Sequence, residues 1–194
     1  MLKPRENKIF HTAKTVGMIG GFAMAGSAAW AYFSAAPWSP TRTADLERIC
    51  RFLDPKPGER IVDLGCGDGR VCIALARAGA TEVTGIELSM PMALAAKARV
   101  ALAGVSRCVK IRVRSFYACR FDDADAVYVY LTRRTLHRIS RRLVERLRPG
   151  ARIVSYGYAV PGWQVEQIDQ PTPSDRPLYL YRIGPNLKKT TYEI

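Results

Sequence analysis

The sequence predicts an α/β fold: a mainly parallel sheet with helices on both faces and an antiparallel pair at its C-terminal end. Three observations predict it. Short apolar runs alternate with segments of helical periodicity from Ala44 to Leu147, and such alternation implies parallel strands joined by right-handed crossovers. The run "DAVYVYL", Asp125 to Leu131, is almost continuously apolar, as a strand covered on both faces must be. Near the end, "QVEQID" and "LYLYRI" flank the loop "PTPSDRP", the pattern of a closing antiparallel pair.

The elements follow in order. Ala44 to Leu53 reads as a helix with Leu46, Ile49, Cys50 and Leu53 on one side, stopped by "PKPGE". Arg60 to Leu64 is a short apolar strand. Arg70 to Ala78 returns to helix and ends at Gly79. "EVTGIEL" is the second strand. Pro91 then stands just inside an Ala-rich helix that runs to Ala103, with Ser89 as its N-cap and Gly104 as its stop. "VKIRVR" and "DAVYVYL" are the next two strands. Arg134 to Leu147 is a helix closed by Pro149 and Gly150, and "ARIVSYGY" is the strand after it.

The chain has 194 residues, 48% of them hydrophobic, and a formal net charge of +13. That excludes a disordered chain and favours anionic surroundings. Five cysteines (Cys50, Cys66, Cys72, Cys108, Cys119) form no CxxC pair, so neither a metal site nor a disulfide framework is predicted. Residues 1–14 read as a basic leader carrying Lys3, Arg5, Lys8 and Lys14. Residues 15–36 hold no charge, and as a helix about 20 residues would cross the ~30 Å hydrocarbon layer. Gly17, Gly21, Ala25 and Ala29 give this stretch a small-residue stripe, with Trp30, Tyr32 and Trp38 towards its far end. A membrane tether is the favoured reading. A cleaved signal segment and an Ala-rich helix packed on the domain are its rivals. The α/β domain is placed at 37–185 and a tail at 186–194.

The stretch "IVDLGCGDGR", Ile61 to Arg70, carries the most chemistry. Its glycines lie between a strand and a helix, where they allow close approach of a ligand. A dinucleotide pyrophosphate would be repelled by Asp63 and Asp68, whereas a ligand with an ammonium group suits them. "VDLGCGDGR" resembles the first motif of class I methyltransferases that use S-adenosyl-L-methionine (SAM). The resemblance implies a Rossmann-like, seven-stranded sheet ending in an antiparallel hairpin. It implies that Gly65, Cys66, Gly67, Asp68 and Gly69 line the methionine part of the donor, with Asp63 near its ammonium. It also implies that Glu87, followed by Leu88, accepts both ribose hydroxyls, which one carboxylate can do. Ser115 and Phe116 take the place of the acid that many such enzymes set near adenine.

"PWSPT", "VDLGCGDGR" and "ARIVSYGYAVPGW" in that order resemble the small archaeal protein-lysine methyltransferases. They also resemble the mitochondrial relatives that modify the ATP synthase c subunit and the adenine nucleotide translocase. The resemblance covers about residues 37 to 183 and implies methyl transfer to a protein lysine; with the tether it points to a membrane-associated target, and because SAM is made inside cells the domain is placed on the cytoplasmic or matrix side. Tyr130, Tyr156, Tyr158 and Trp163 are acceptor-channel candidates, since aromatic faces hold a methylated ammonium. The strand end Tyr130-Leu131-Thr132 lacks the Asn or Asp plus Pro-Pro of nucleobase N-methylases. On the basic helix, Arg134, Arg138, Arg142 and Arg146 form a solvent side suited to an anionic membrane surface. No aromatics are interleaved there, which ranks RNA below lipid. A small-molecule or lipid methyltransferase and a non-catalytic SAM-fold assembly factor remain the alternatives.

Overall fold

A computed structural model describes residues 39–184, together with residues 14, 18, 21, 26, 27 and 187. A 3-10 turn, Thr43–Asp45, leads into α1, Leu46–Leu53. Then come β1 (Arg60–Leu64), α2 (Arg70–Arg77), β2 (Glu82–Glu87), α3 (Met90–Leu102) and β3 (Val109–Val113). The second half holds β4 (Ala126–Val129), α4 (Arg133–Arg146), β5 (Arg152–Tyr156), β6 (Gln167–Asp169) and β7 (Leu178–Arg182). The seven strands form one sheet in the order β3-β2-β1-β4-β5-β7-β6. β1 to β5 run parallel, and β7 pairs antiparallel with both β5 and β6. This is the predicted seven-stranded, Rossmann-like architecture with its C-terminal hairpin.

The topology explains the apolar run of β4. Ala126 and Tyr128 face one core, with Leu75, Val83 and Ala96, while Val127 and Val129 face the other, with Leu136, Ile139 and Leu143. All four residues of the strand are buried. The order of strands reverses between β1 and β4. That is the switch point where open α/β sheets bind ligands, beyond the carboxyl ends of the strands. The loops after β1, β2 and β4 therefore meet at one place.

One local reading changes. Ser89 makes no side-chain cap on α3; its backbone N–H donates instead to Glu87 Oε1 at 2.7 Å. Thr132 caps α4, its hydroxyl accepting from the Thr135 N–H at 3.3 Å. On α4, Leu136, Ile139 and Leu143 are buried as expected. Two of its solvent-side arginines are engaged within the chain. Arg142 donates to the Cys119 carbonyl at 2.7 Å, and Arg146 lies 3.8 Å from the Asp122 carboxylate.

The expected membrane-spanning tether needs correction. Among the described residues, no helix is long and apolar enough to cross a membrane. Gly and Ala make up half of residues 15–36, and each adds little to transfer into hydrocarbon. Most of that stretch, the leader before Lys14 and the tail apart from Leu187 lie outside the described residues. The described cysteines are all free thiols.

Candidate functional site

The loop after β1 is pinned to the neighbouring strand. The N–H groups of Gly65 and Cys66 both donate to the Ile86 carbonyl, at 2.8 and 3.1 Å. Such close approach needs a bare β2: a Cβ on Gly85 would fall 2.7 Å from Cys66 Sγ and 2.8 Å from Ile111 Cδ1. Gly69 has φ +77°, and a Cβ there would sit 3.1 Å from the Ala96 Cβ. The first turn of α2 can thus lie directly on α3.

Glu87 ends β2 and bridges two loops. Its Oε2 accepts from the Gly67 N–H at 2.9 Å, and its Oε1 from the Ser89 N–H at 2.7 Å. Asp63, near the end of β1, is 2% exposed. Its one hydrogen-bond donor among the described residues is the Cys72 thiol, at 3.4 Å from Oδ2. Burial pushes the Asp63 carboxyl up to about 7; the Cys72 hydrogen bond pulls the other way, and the charges of Glu87 and Asp68 add smaller pushes upward. A buried acid with so little compensation is poised for a cation.

Asp68 differs. Arg70 Nη2 lies 2.7 Å and Arg99 Nη1 3.0 Å from its Oδ2. Burial alone would raise its pKa, but the hydrogen bonds and charge of Arg70, helped by Arg99, hold it below the usual carboxylate range. Its charge is committed within the chain, whereas Asp63 has no ion-pair partner among the described residues. Arg70 also donates to the Thr41 carbonyl at 2.9 Å, drawing the segment before the 3-10 turn over the loop.

Between these loops lies a cavity of about 500 Å³, within the size range of small-ligand sites. The predicted Asp63, Gly65, Cys66, Gly67, Asp68, Glu87, Leu88 and Phe116 all line it, as do Tyr130 and Tyr158. Gly69 and Ser115 do not; the Ser115 hydroxyl instead accepts from the Tyr117 N–H at 3.3 Å.

Two acceptor-channel candidates also lie outside the lining. Tyr156 is fully buried, and its hydroxyl donates to Asp45, which pairs with Arg48 at 3.2 Å. Burial, and then the Asp45 hydrogen bond and charge, push this phenol well up, so it ties the 3-10 turn to β5. Trp163 packs edge-on against Tyr181, ring centroids 5.4 Å apart. Both face the core rather than the cavity.

Sequence reasoning missed several lining groups. Tyr128, whose hydroxyl is 3.1 Å from Thr41 Oγ1, reads from sequence as plain core. Arg176 reads as part of a proline-rich loop. It reaches the cavity because β7 returns beside β5, where the Gly157 N–H donates to the Pro177 carbonyl at 2.7 Å. Its guanidinium sits 5.5 Å from the Tyr130 ring centroid, and that of Arg133 sits 5.8 Å from the Tyr158 ring.

The chain is similar to known proteins. The chain is 26% identical to a protein-lysine N-methyltransferase of Saccharolobus islandicus, over 79% of this chain and 97% of that one. It is 30% identical to the adenine nucleotide translocase lysine N-methyltransferase of Mus musculus, over 66% of this chain but only 56% of the mouse protein. The crystal structure of an RNA methyltransferase from Salinibacter ruber, in complex with S-adenosyl-L-homocysteine, superposes with a TM-score of 0.72 at 25% identity. That match covers 76% of this chain and 95% of the other. The family model for the ANTKMT methyltransferase domain matches residues 63–167, from Asp63 near the end of β1 to the first residue of the edge strand β6, more than half of the chain. The chain belongs to that methyltransferase family.

Proposed function

We propose that this chain is a SAM-dependent protein-lysine N-methyltransferase whose donor lies in the cavity at the carboxyl ends of β1, β2 and β4. The observation that carries the reading is the pair of buried acids there: Asp63, just before the glycine loop, and Glu87, which accepts from the loop's Gly67 N–H. The residues fit such a group. Asp63 is a nearly uncompensated buried carboxyl, and Glu87 is a bidentate acceptor at a strand end. Phe116, buried at 3% exposure, is an apolar face for a base. Bound there, SAM supplies an electrophilic methyl carbon on a positively charged sulfur.

The chain's own residues then have three tasks. Asp63 holds the ammonium of the donor, directly or through water. Glu87 holds the ribose hydroxyls and, with the Gly67 N–H, fixes the loop. Tyr128, Tyr130 and Tyr158 wall the side where an acceptor enters, excluding water and aligning the incoming nitrogen. An acceptor lysine must arrive as the neutral amine, because an ammonium has no lone pair. Low polarity and nearby positive charge lower its pKa, so no dedicated base is required. A protein acceptor is supported by the Saccharolobus islandicus and mouse relatives, and a membrane-protein target by the mouse one. The exposed Arg134 and Arg138 of α4 support an anionic partner surface. The catalytic unit proposed is 37–185.

The test is incubation of the full chain with CD3-labelled SAM and proteins of a cell lacking it, followed by tandem mass spectrometry. Label on lysine side-chain nitrogens of a protein is expected. Label confined to RNA, lipid or small molecules would contradict it.

A further inference from the structure

The cavity is charged asymmetrically. Its floor carries the buried acids Asp63 and Glu87. Its outer wall carries guanidinium groups instead. Among the charged residues that line it, Arg70 is paired with Asp68, whereas Arg176 has no carboxylate partner among the described residues. Arg176 is half-buried and stacks over the Tyr130 ring and, at 6.0 Å, over the Tyr156 ring. Arg133 is exposed, follows the lining residue Thr132, and stacks over Tyr158. It too has no carboxylate partner among the described residues. Two of the three lining tyrosines on the acceptor side, Tyr130 and Tyr158, thus already carry a cation of this chain.

Two consequences follow from charge alone. The aromatic faces are engaged, so they do not form an open cage for a cationic side chain. The two guanidinium groups also set a positive potential at the rim, which repels an ammonium and its basic neighbours and attracts carboxylates.

We propose that Arg176 and Arg133 select the acceptor: the enzyme takes lysines flanked, within reach of the rim, by Asp or Glu. The inference rests on the protein-lysine reading above. Arg176 and Arg133 are specificity-determining residues that touch the substrate chain beside the reacting nitrogen. The planar guanidinium suits a carboxylate through paired hydrogen bonds. Stacking on tyrosine holds each fork in place before the substrate arrives, which reduces the ordering cost of binding.

The experiment uses the full chain and peptides with one lysine, flanked by glutamates, by neutral residues or by arginines. Methyl transfer is followed by mass spectrometry. Peptide affinity is followed by fluorescence anisotropy with S-adenosyl-L-homocysteine present, so that one readout does not depend on turnover. The acidic peptide is expected to exceed the neutral one by about fivefold per arginine, mostly in KM, the size that partly exposed ion pairs reach. The preference should shrink with added salt. Arg176→Gln and Arg133→Gln should each reduce the acidic-to-neutral ratio, and Arg176→Glu should invert it towards the arginine-flanked peptide. A ratio compares two peptides on one variant, so a general loss of activity does not mimic the effect, and a thermal melt confirms that each variant is folded. Equal use of all peptides, a basic preference in the wild type, or an acidic preference that survives both substitutions would overturn the inference while leaving lysine methylation standing. Absence of methyl on every peptide and on every protein lysine in the CD3 experiment, with donor binding intact, would overturn the parent reading and this one together.

Discussion

Replacing Glu87 with alanine is expected to weaken SAM binding by about 100-fold or more, since two hydrogen bonds to a charged group contribute roughly 1.5–3 kcal/mol each. The carboxylate is the last residue of β2, held at the strand end by pairing with Val113 of β3. It already accepts the N–H groups of Gly67 and Ser89. Its removal therefore has two effects. The donor loses its ribose acceptor, and two backbone donors beside the cavity lose a charged partner, which loosens the glycine loop. Glu87→Gln keeps one oxygen acceptor and should fall between wild type and alanine. Calorimetric titration of the three proteins with SAM checks the order. Equal affinities would mean that the donor does not rest on this residue.

The second large effect concerns pH. Asp63 has its carboxyl pushed from the ordinary acid range up to about 7 by burial. In the unfolded chain it would titrate near ~3.9. Between those values the folded state binds more protons than the unfolded one, so the stability of the donor-free protein falls as pH rises through this window. The contribution is full below the unfolded value and lost above about 7, the reverse of a salt-bridged acid. The size is about 1.4 kcal/mol per unit of pKa difference. A cationic donor needs the ionised carboxylate, so SAM affinity should rise with pH, about tenfold per unit while Asp63 is mostly protonated. It should level off above about 7. Asp63→Asn should remove both slopes and weaken binding at pH 8. Denaturation midpoints and SAM titrations from pH 5 to pH 8 measure the two slopes, and parallel curves for wild type and Asp63→Asn would refute the role.

Much of this fold and half of this site were legible in the residues. The alternation of strands and helices carried the sheet, because a parallel strand such as Ala126–Val129 must be apolar on both faces. The donor side was legible because its groups are local in sequence: Asp63, the glycine loop and Glu87 all sit at or just past strand ends. The acceptor side was not, because it is assembled from distant segments. Arg176 arrives from the antiparallel return of β7, and Thr41 from before the first helix. Tyr156 and Trp163 share the aromatic character of Tyr130 and Tyr158, and strand alternation with hairpin packing, invisible in composition, turns them into the core. Asp68 lines the cavity as expected, but its charge is held by Arg70, two residues on, and by Arg99 at 3.0 Å, a whole βα unit away. The uncharged stretch at 15–36 lies mostly outside the described residues, among which no helix is long and apolar enough to cross a membrane.

A crystal structure of the full chain with S-adenosyl-L-homocysteine tests the donor site most directly. The ribose hydroxyls should lie on the Glu87 carboxylate, with the amino-acid end along Gly65 to Gly69 beside Asp63 and the base against Phe116. Ligand found elsewhere, or in this cavity with its ribose away from Glu87, would contradict the assignment.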